Sequence, residues 1–176
     1  MVRKVPLMDI ASLLLETFGR IPPLAETAVD GLDEEQLCAA PGPDANPIGW
    51  LVWHQARVQD HHVAELLGTE QFWVSGDWAR RCGLAPDPSN TGYGHSTAEV
   101  RTVRPEGPDV LLDYLAVVQA RTTDMIEGLA PDDLDRVVDR RWDPPVTLGV
   151  RLVSVISDDL QHVGQAAFVR GILERR

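Results

Sequence analysis

The 176-residue sequence predicts an all-α fold, a four-helix bundle, on three observations. Apolar residues recur at three- and four-residue steps in four long stretches. Helix-capping or helix-breaking residues flank these stretches. No segment alternates strictly between apolar and polar residues for long enough to require a sheet. Helices of roughly 20 residues suit a bundle with one core, so a single domain is expected over residues 1–176.

The first helix is predicted from about Leu7 to Val29, with Pro22 and Pro23 kinking or interrupting it. Its apolar stripe consists of Leu7, Ile10, Leu14, Phe18 and Ile21. A short helical turn follows, because Asp33 and Gln36 have the spacing of a capping box.

The second helix is predicted from the N-cap Asn46 to about Leu67. Residues 69–108 then form a long insertion between helices 2 and 3, rich in glycine and proline. Short helical pieces are expected within it around Phe72–Cys82 and after Ser96.

The third helix is predicted from about Asp109 to Gly128, and the fourth from Leu148 to Glu174. Thr147 is placed to cap the fourth helix. The segment between them, residues 136–147, is compatible with extended structure.

Charge and composition exclude several classes of protein. A net charge of −11 argues against a nucleic-acid binder and against docking on an anionic membrane. No apolar run approaches the roughly 18 residues of a membrane-spanning helix. Met1–Asp9 does not have the pattern of a signal peptide. Cys38 and Cys82 form no disulfide framework, so a reducing cytoplasm is the expected location.

Polar residues on the apolar stripes are the candidates for chemistry. His54 has Leu51 and Val58 on its own helix face, which directs it toward the core. On the fourth helix Asp158 and His162 lie one turn apart, so both can reach a single ion. Two such ligands on one helix and a third from a facing helix would make a metal site.

Other interpretations of these residues stay open. His162 could be a plain ion-pair partner of Asp158, and Arg57 or Arg151 could take that place. Asp159 rivals Asp158 as the carboxylate ligand, or it is a solvated acid beside it. His54 alone would fit a hydrogen-bonded core histidine.

Two segments carry a resemblance to a known family. Residues 46–54, Asn-Pro-Ile-Gly-Trp-Leu-Val-Trp-His, resemble the second helix of the DinB-like superfamily. Residues 158–165, Asp-Asp-Leu-Gln-His-Val-Gly-Gln, resemble its fourth-helix motif, usually His-x-x-x-His followed by Gly-Gln. The resemblance implies a four-helix bundle holding a divalent metal on His54, Asp158 and His162. Asp158 stands where histidine is usual, and the mycothiol-dependent maleylpyruvate isomerase branch is similar in having a carboxylate there.

Two imidazoles and one carboxylate are a typical catalytic zinc set with one open position, and nickel or iron would suit the same ligands. The resemblance implies thiol transfer: a low-molecular-weight thiol, with mycothiol expected, binds as thiolate and attacks an electrophile. The sequence thus predicts a metal-dependent thiol S-transferase. A homodimer is a reasonable expectation.

Four residues are predicted to support the reaction. Arg57 and Asp60, beyond His54 on the same helix, are predicted to be catalytic by lining the pocket, unless they form an i,i+3 surface pair. Gln165 is predicted to orient a ligand, and Tyr93 to cover the open position. Both are therefore assigned to cofactor binding.

His95 could cover the open position together with Tyr93, but it is more easily explained as an exposed loop residue. His61 and His62 are predicted to be peripheral: His61 could approach the site, and His62 is expected to turn away. Two further functions stay open. A metal-bound water would give a hydrolase with Asp60 or His61 as base. A non-catalytic bundle would dimerise through an apolar helix face, with the metal structural or absent.

Overall fold

A computed structural model describes residues 8–175 and confirms the predicted all-α bundle. The first long helix is divided into α1 (Ile10–Gly19) and α2 (Ile21–Val29), with the break at Arg20. Pro22 and Pro23 occupy the first turn of α2, where a missing N–H leaves no helical hydrogen bond unmade. The predicted start of this helix at Leu7 lies outside the described residues.

The next two helices begin differently. In α3 (Glu34–Cys38) the Asp33 carboxylate accepts from the Gln36 N–H at 2.8 Å, and the Gln36 side chain accepts from the Asp33 N–H at 3.0 Å. This is the predicted capping box. Helix α4 (Ile48–Leu67) has Pro47 as its N-cap, with no side-chain capping bond, so the predicted N-cap Asn46 lies one residue too early.

The insertion contains three short helices, α5 (Phe72–Ser75), α6 (Trp78–Arg81) and α7 (Thr97–Val100). They fall within the two regions where helical pieces were expected. The predicted capping box of Ser96 and Glu99 starts α7. Most of α4 is buried, because the insertion and the other helices together cover it.

Helix α8 (Pro108–Glu127) precedes a 3-10 turn (Pro131–Asp135) and an antiparallel pair of short strands. These strands, β1 (Val137–Asp139) and β2 (Val146–Thr147), account for the extended segment. The last helix is α9 (Leu148–Leu173), which Thr147 caps by accepting from the Val150 N–H.

Helix α9 packs most extensively against α4 and α2, and α8 packs against α4, α1 and α2. The groove between α4 and α9 therefore brings their polar residues face to face. Within the described part of the chain, none of the helices is both long and apolar enough to cross a membrane.

Candidate metal centre

Three predicted ligands converge in the groove between α4 and α9. His54 Nε2 lies 3.8 Å from Asp158 Oδ2, and His162 Nε2 lies 3.6 Å from Asp158 Oδ1. The two imidazole rings are 4.6 Å apart between centroids and nearly perpendicular. One ligand atom from each residue falls within 4.8 Å of the others, so the three could hold one metal ion.

A hydrogen bond on the far side of each ring fixes its tautomer. His54 Nδ1–H donates to the Thr91 carbonyl at 2.6 Å, and His162 Nδ1–H donates to Gln165 Oε1 at 3.0 Å. Both acceptors are oxygens, so in each neutral ring the lone pair is on Nε2. Orienting bonds of this kind are typical of metal-binding histidines. Gln165, predicted to orient a ligand, thus contacts His162.

The carboxylate of Asp158 has an unused oxygen. Its Oδ2 is buried and accepts no hydrogen bond from any described residue. A buried anionic oxygen without a partner is costly, and a cation is the partner that this position suits. Asp159 does not belong to the converging group, so Asp158 is the aspartate that could share an ion with the two histidines.

The pKa values of the two imidazoles are shifted in opposite directions. Burial lowers the pKa of His54, although its bond to Thr91 acts the other way. Burial would also lower the pKa of His162, but the adjacent Asp158 carboxylate and Gln165 oxygen outweigh it, and this pKa is raised. The lowered pKa favours the neutral, metal-binding form of His54, whereas the raised pKa favours the protonated form of His162.

The insertion closes over His54 at a glycine. Gly92 has a φ of +92°, and a Cβ there would lie 2.7 Å from His54 Nδ1 and 2.8 Å from Trp53 Cζ3. Only glycine allows the loop to come close enough for the bond from His54 to Thr91. Trp50 stacks on the His54 ring, 4.7 Å away and tilted by 12°. The sequence analysis predicted neither of these contacts of Trp50 and Thr91, and the glycine-rich composition of the insertion was the one signal in this segment.

A cavity of about 440 Å³ opens beside His54 and Asp158, two of the three candidate ligands. Its walls include Tyr93, which is 92% exposed. That Tyr93 covers the open position stays a prediction. His61 and His62 also line the cavity, so the expectation that His62 turns away is wrong. The full lining is His54, Val58, His61, His62, Ser89, Thr91, Tyr93, Ser154, Val155 and Asp158.

Arg57 and Asp60 lie elsewhere. Both are fully buried, and neither lines the cavity, so they are not the alternative surface pair either. The Arg57 guanidinium donates to the Asn90 and Pro88 carbonyls and to Gln71 Oε1. The contacts of these two residues hold the insertion against α4, and none of them reaches the candidate ligands His54, Asp158 and His162. Because neither residue contacts the site, the structure offers no support for their predicted catalytic role.

Asp60 completes this network. Its carboxylate accepts from the Phe72 and Trp73 backbone N–H groups at 3.1 and 2.9 Å. It also accepts from the Tyr114 hydroxyl at 2.7 Å, and Arg57 Nη1 lies 3.5 Å away.

Two further expectations need correction. Asp159 is not a solvated acid: it is fully buried, burial raises its pKa well above the usual range, and neither oxygen has a hydrogen-bond partner within residues 8–175. His95 is not a free loop residue. It accepts a bond from Trp50 Nε1 at 3.2 Å and donates to Asn90 Oδ1 at 2.9 Å, so it ties the loop to α4.

A helical bundle with two histidines and one carboxylate converging between two of its helices defines the class of protein. The family model of the DinB superfamily matches residues 18–166, and the chain belongs to that superfamily. Among solved structures, a conserved protein from Enterococcus faecalis is 30% identical and superimposes with a TM-score of 0.88. The match covers 97% of this chain and all of that one. No curated protein matches the sequence.

Proposed function

We propose that the protein is a divalent-metal-dependent thiol S-transferase that joins a low-molecular-weight thiol to an electrophilic small molecule. The observation that carries the proposal is the convergence of His54, Asp158 and His162, the first two of which line a cavity. Three ligands leave a coordination position to be filled from that cavity.

The residues fit zinc, and nickel or iron would suit the same donors. Two Nε2 lone pairs and an unpaired carboxylate oxygen face one another. When bound, a divalent cation would lower the pKa of a coordinated thiol and favour its thiolate form near neutral pH.

The chain itself positions the reactants. Thr91 and Gln165 hold the two imidazoles in one orientation, so the ligand geometry exists before substrates arrive. Val58 and Val155 supply apolar wall beside them, which limits access of water to the sulfur. In the transfer, the thiol loses its proton to solvent and its sulfur forms a bond to the electrophilic carbon. A leaving group departs with its electron pair, or an activated double bond gains a proton instead.

Mycothiol is the thiol that we propose. The support is the carboxylate at Asp158, the feature shared with the mycothiol-dependent branch that the sequence resembles. The cavity, at about 440 Å³, has room for part of such a thiol and a small electrophile.

A metal-water hydrolase is a weaker candidate. Of the two bases considered for it, Asp60 is enclosed in the network under the insertion and only His61 lines the cavity. A non-catalytic dimeric bundle would need no open cavity beside the ligands.

The decisive experiment combines elemental analysis of the purified protein with a thiol assay. We expect about one divalent metal per chain, and turnover of monochlorobimane that requires both metal and mycothiol. Asp158→Ala should lower metal affinity by about 100-fold or more, because it removes one of three ligands. Asp124→Ala, on the exposed face of α8, is the matched control and should change neither.

Three outcomes would contradict the proposal. Metal-dependent hydrolysis without any thiol would indicate the hydrolase. A bundle that folds without metal and is unchanged by His54→Ala would indicate the structural case. A protein that binds metal but shows no thiol-dependent rate with mycothiol or other small thiols would exclude S-transfer.

A further inference from the structure

The outward side of α9 is an exposed helix face without charge. Its residues lie opposite the buried side of α9 and extend over about 27 Å of helix. Between positions 150 and 168, a stretch that the structure describes without a gap, every exposed residue is uncharged. These residues form the outer face of α9: Val150, Val153, Ser154, Ser157, Leu160, Gln161, Gly164, Gln165, Ala167 and Phe168.

The preceding long helix, α8, has a different surface. Four of its six exposed residues are acids. The six are Asp109, Asp113, Ala116, Ala120, Asp124 and Glu127. The whole chain has a net charge of −11, so two copies repel each other when acidic surfaces meet. Through the outer face of α9, two copies can approach without bringing such acids together.

The described residues offer no steric reason for Gly164, which lies on the outer face. A glycine in the interior of a helix makes that helix less stable than alanine would. A Cβ at Gly164 would meet nothing within 4 Å, and its φ is not positive. By contrast, a Cβ at Gly149 would lie 3.4 Å from Leu134, so packing within the chain accounts for that glycine. A helix surface without a side chain favours close approach by another backbone.

The polar side chains of the outer face form hydrogen bonds within α9. Gln161 Nε2 donates to the carbonyl and to the hydroxyl of Ser157, each at 3.0 Å. The Ser154 hydroxyl donates to a carbonyl of the preceding turn at 2.9 Å, and Gln165 Oε1 accepts from His162. A polar group that already has a partner loses less when water leaves it. An apolar surface can therefore cover these side chains at a small cost.

The apolar side chains of the outer face are in contact with water in the single chain. Val150, Val153 and Phe168 are 53%, 63% and 68% exposed. Covering them with another apolar surface is favourable, because apolar area is removed from water. The covering surface must also be uncharged, because the outer face offers no charge to pair with. A second copy meets both conditions, since a two-fold interface pairs the same surface of both subunits.

We propose that the outer face of α9 is the contact surface of a homodimer, in which two copies pack with α9 against α9. The helices approach closely at Gly164, and Val153 and Phe168 become buried. The proposal assigns a surface to the homodimer that the sequence predicts. It does not depend on the proposed S-transferase function.

The proposed contact surface borders the candidate metal centre. Ser154 belongs to the outer face and also lines the cavity beside His54 and Asp158. Gln165 belongs to the outer face and accepts the hydrogen bond that orients His162. In the dimer, each copy would therefore lie next to the cavity of the other.

Sedimentation velocity of the full chain measures the dimer directly. At about 100 μM we expect a mass twice the 19.4 kDa of one chain. Gly164→Glu places a carboxylate and added bulk in the contact, and should raise the Kd of the dimer by at least about 100-fold. This variant should still fold, because its side chain enters open space and glutamate is a better helix former than glycine.

Three further variants complete the experiment. Gly164→Ala keeps the position small and uncharged, and should leave the dimer intact. Ala120→Glu adds the same carboxylate to an exposed position of α8, and should change the Kd by less than about 3-fold. Val153→Glu tests the outer face again, about three turns from Gly164, and should also give a monomer. Circular dichroism of each variant checks that its helix content is unchanged.

Several results would overturn the proposal. One is a wild-type chain that stays monomeric at about 100 μM. Another is a dimer that tolerates both Gly164→Glu and Val153→Glu, or that Ala120→Glu weakens as much as they do. If a monomeric chain instead binds phosphatidylcholine vesicles and Gly164→Glu abolishes this binding, the outer face contacts a lipid surface and not a second copy. A lack of thiol-dependent turnover would contradict the S-transferase proposal alone, because sedimentation requires no substrate.

Discussion

Two clusters of polar residues begin within one turn of each other on α4, and they have opposite character. At the cluster that starts from His54, the buried Oδ2 of Asp158 accepts no hydrogen bond from any residue that the structure describes, and it lies between the imidazoles of His54 and His162. At the cluster of Arg57 and Asp60, nearly every donor and acceptor has a partner in the insertion or on α8. A buried polar atom without a hydrogen-bond partner thus distinguishes the candidate ligand site from the structural network.

The difference has an energetic consequence. A buried ion pair whose remaining atoms are hydrogen-bonded contributes to keeping elements together, and removing one partner leaves the other charge uncompensated. A cluster with unpaired atoms contributes little to the metal-free fold and gains most when a ligand arrives. Substitutions at the cluster of Arg57 and Asp60 should therefore change mainly the free energy of unfolding. Substitutions at the cluster of His54 should change mainly metal affinity.

The largest effect is expected at the structural network. Asp60→Ala should lower the free energy of unfolding by about 3–5 kcal/mol, because it leaves Arg57 buried without its anionic partner. Denaturant titration of the metal-loaded protein measures this loss. Asp113→Ala, on the exposed face of α8, is the control and should have almost no effect. An Asp60→Ala protein of normal stability that fails to turn over substrate would restore its catalytic role.

Lower pH should weaken metal binding at the candidate centre. A metal must displace the proton of His162, whose pKa Asp158 raises, and lower pH therefore weakens binding. Below that pKa we expect affinity to fall about 10-fold per pH unit, and more steeply below the lowered pKa of His54. Competition with a chelator between pH 8 and 5 measures the slope. A flat profile would contradict a site made of these two histidines.

The smallest effect is expected at the orienting bond of His162. Gln165→Ala removes the acceptor of the Nδ1–H and should weaken metal binding by about 10-fold, the lower end of the range for such partners, since the bond is exposed. Gln161→Ala is the control, because that side chain bonds only within its own helix turn to Ser157. Equal metal affinity in both variants would show that Gln165 has no orienting role.

The local part of the candidate site was predictable from sequence. Residues four apart on a helix share a face, so Asp158 and His162 had to stack once α9 formed. Capping pairs such as Asp33 and Gln36 were recognisable for the same reason, since they span a single turn. The N-cap of α4 was predicted one residue too early, at Asn46, because the helix begins after Pro47 without a side-chain capping bond.

The sequence by itself determined the helices, their apolar faces and the stacking of Asp158 and His162 on α9, because these depend on interactions within one or two turns. Only the tertiary structure decided that Arg57 and Asp60 are enclosed, that Asp159 is buried, and that His62 faces the cavity. These outcomes depend on where a distant segment comes to rest: Thr91 meets His54 across 37 positions of sequence, and Arg151 meets His62 across 89. Helical periodicity carries no information about such contacts, which are fixed by the packing of the whole chain.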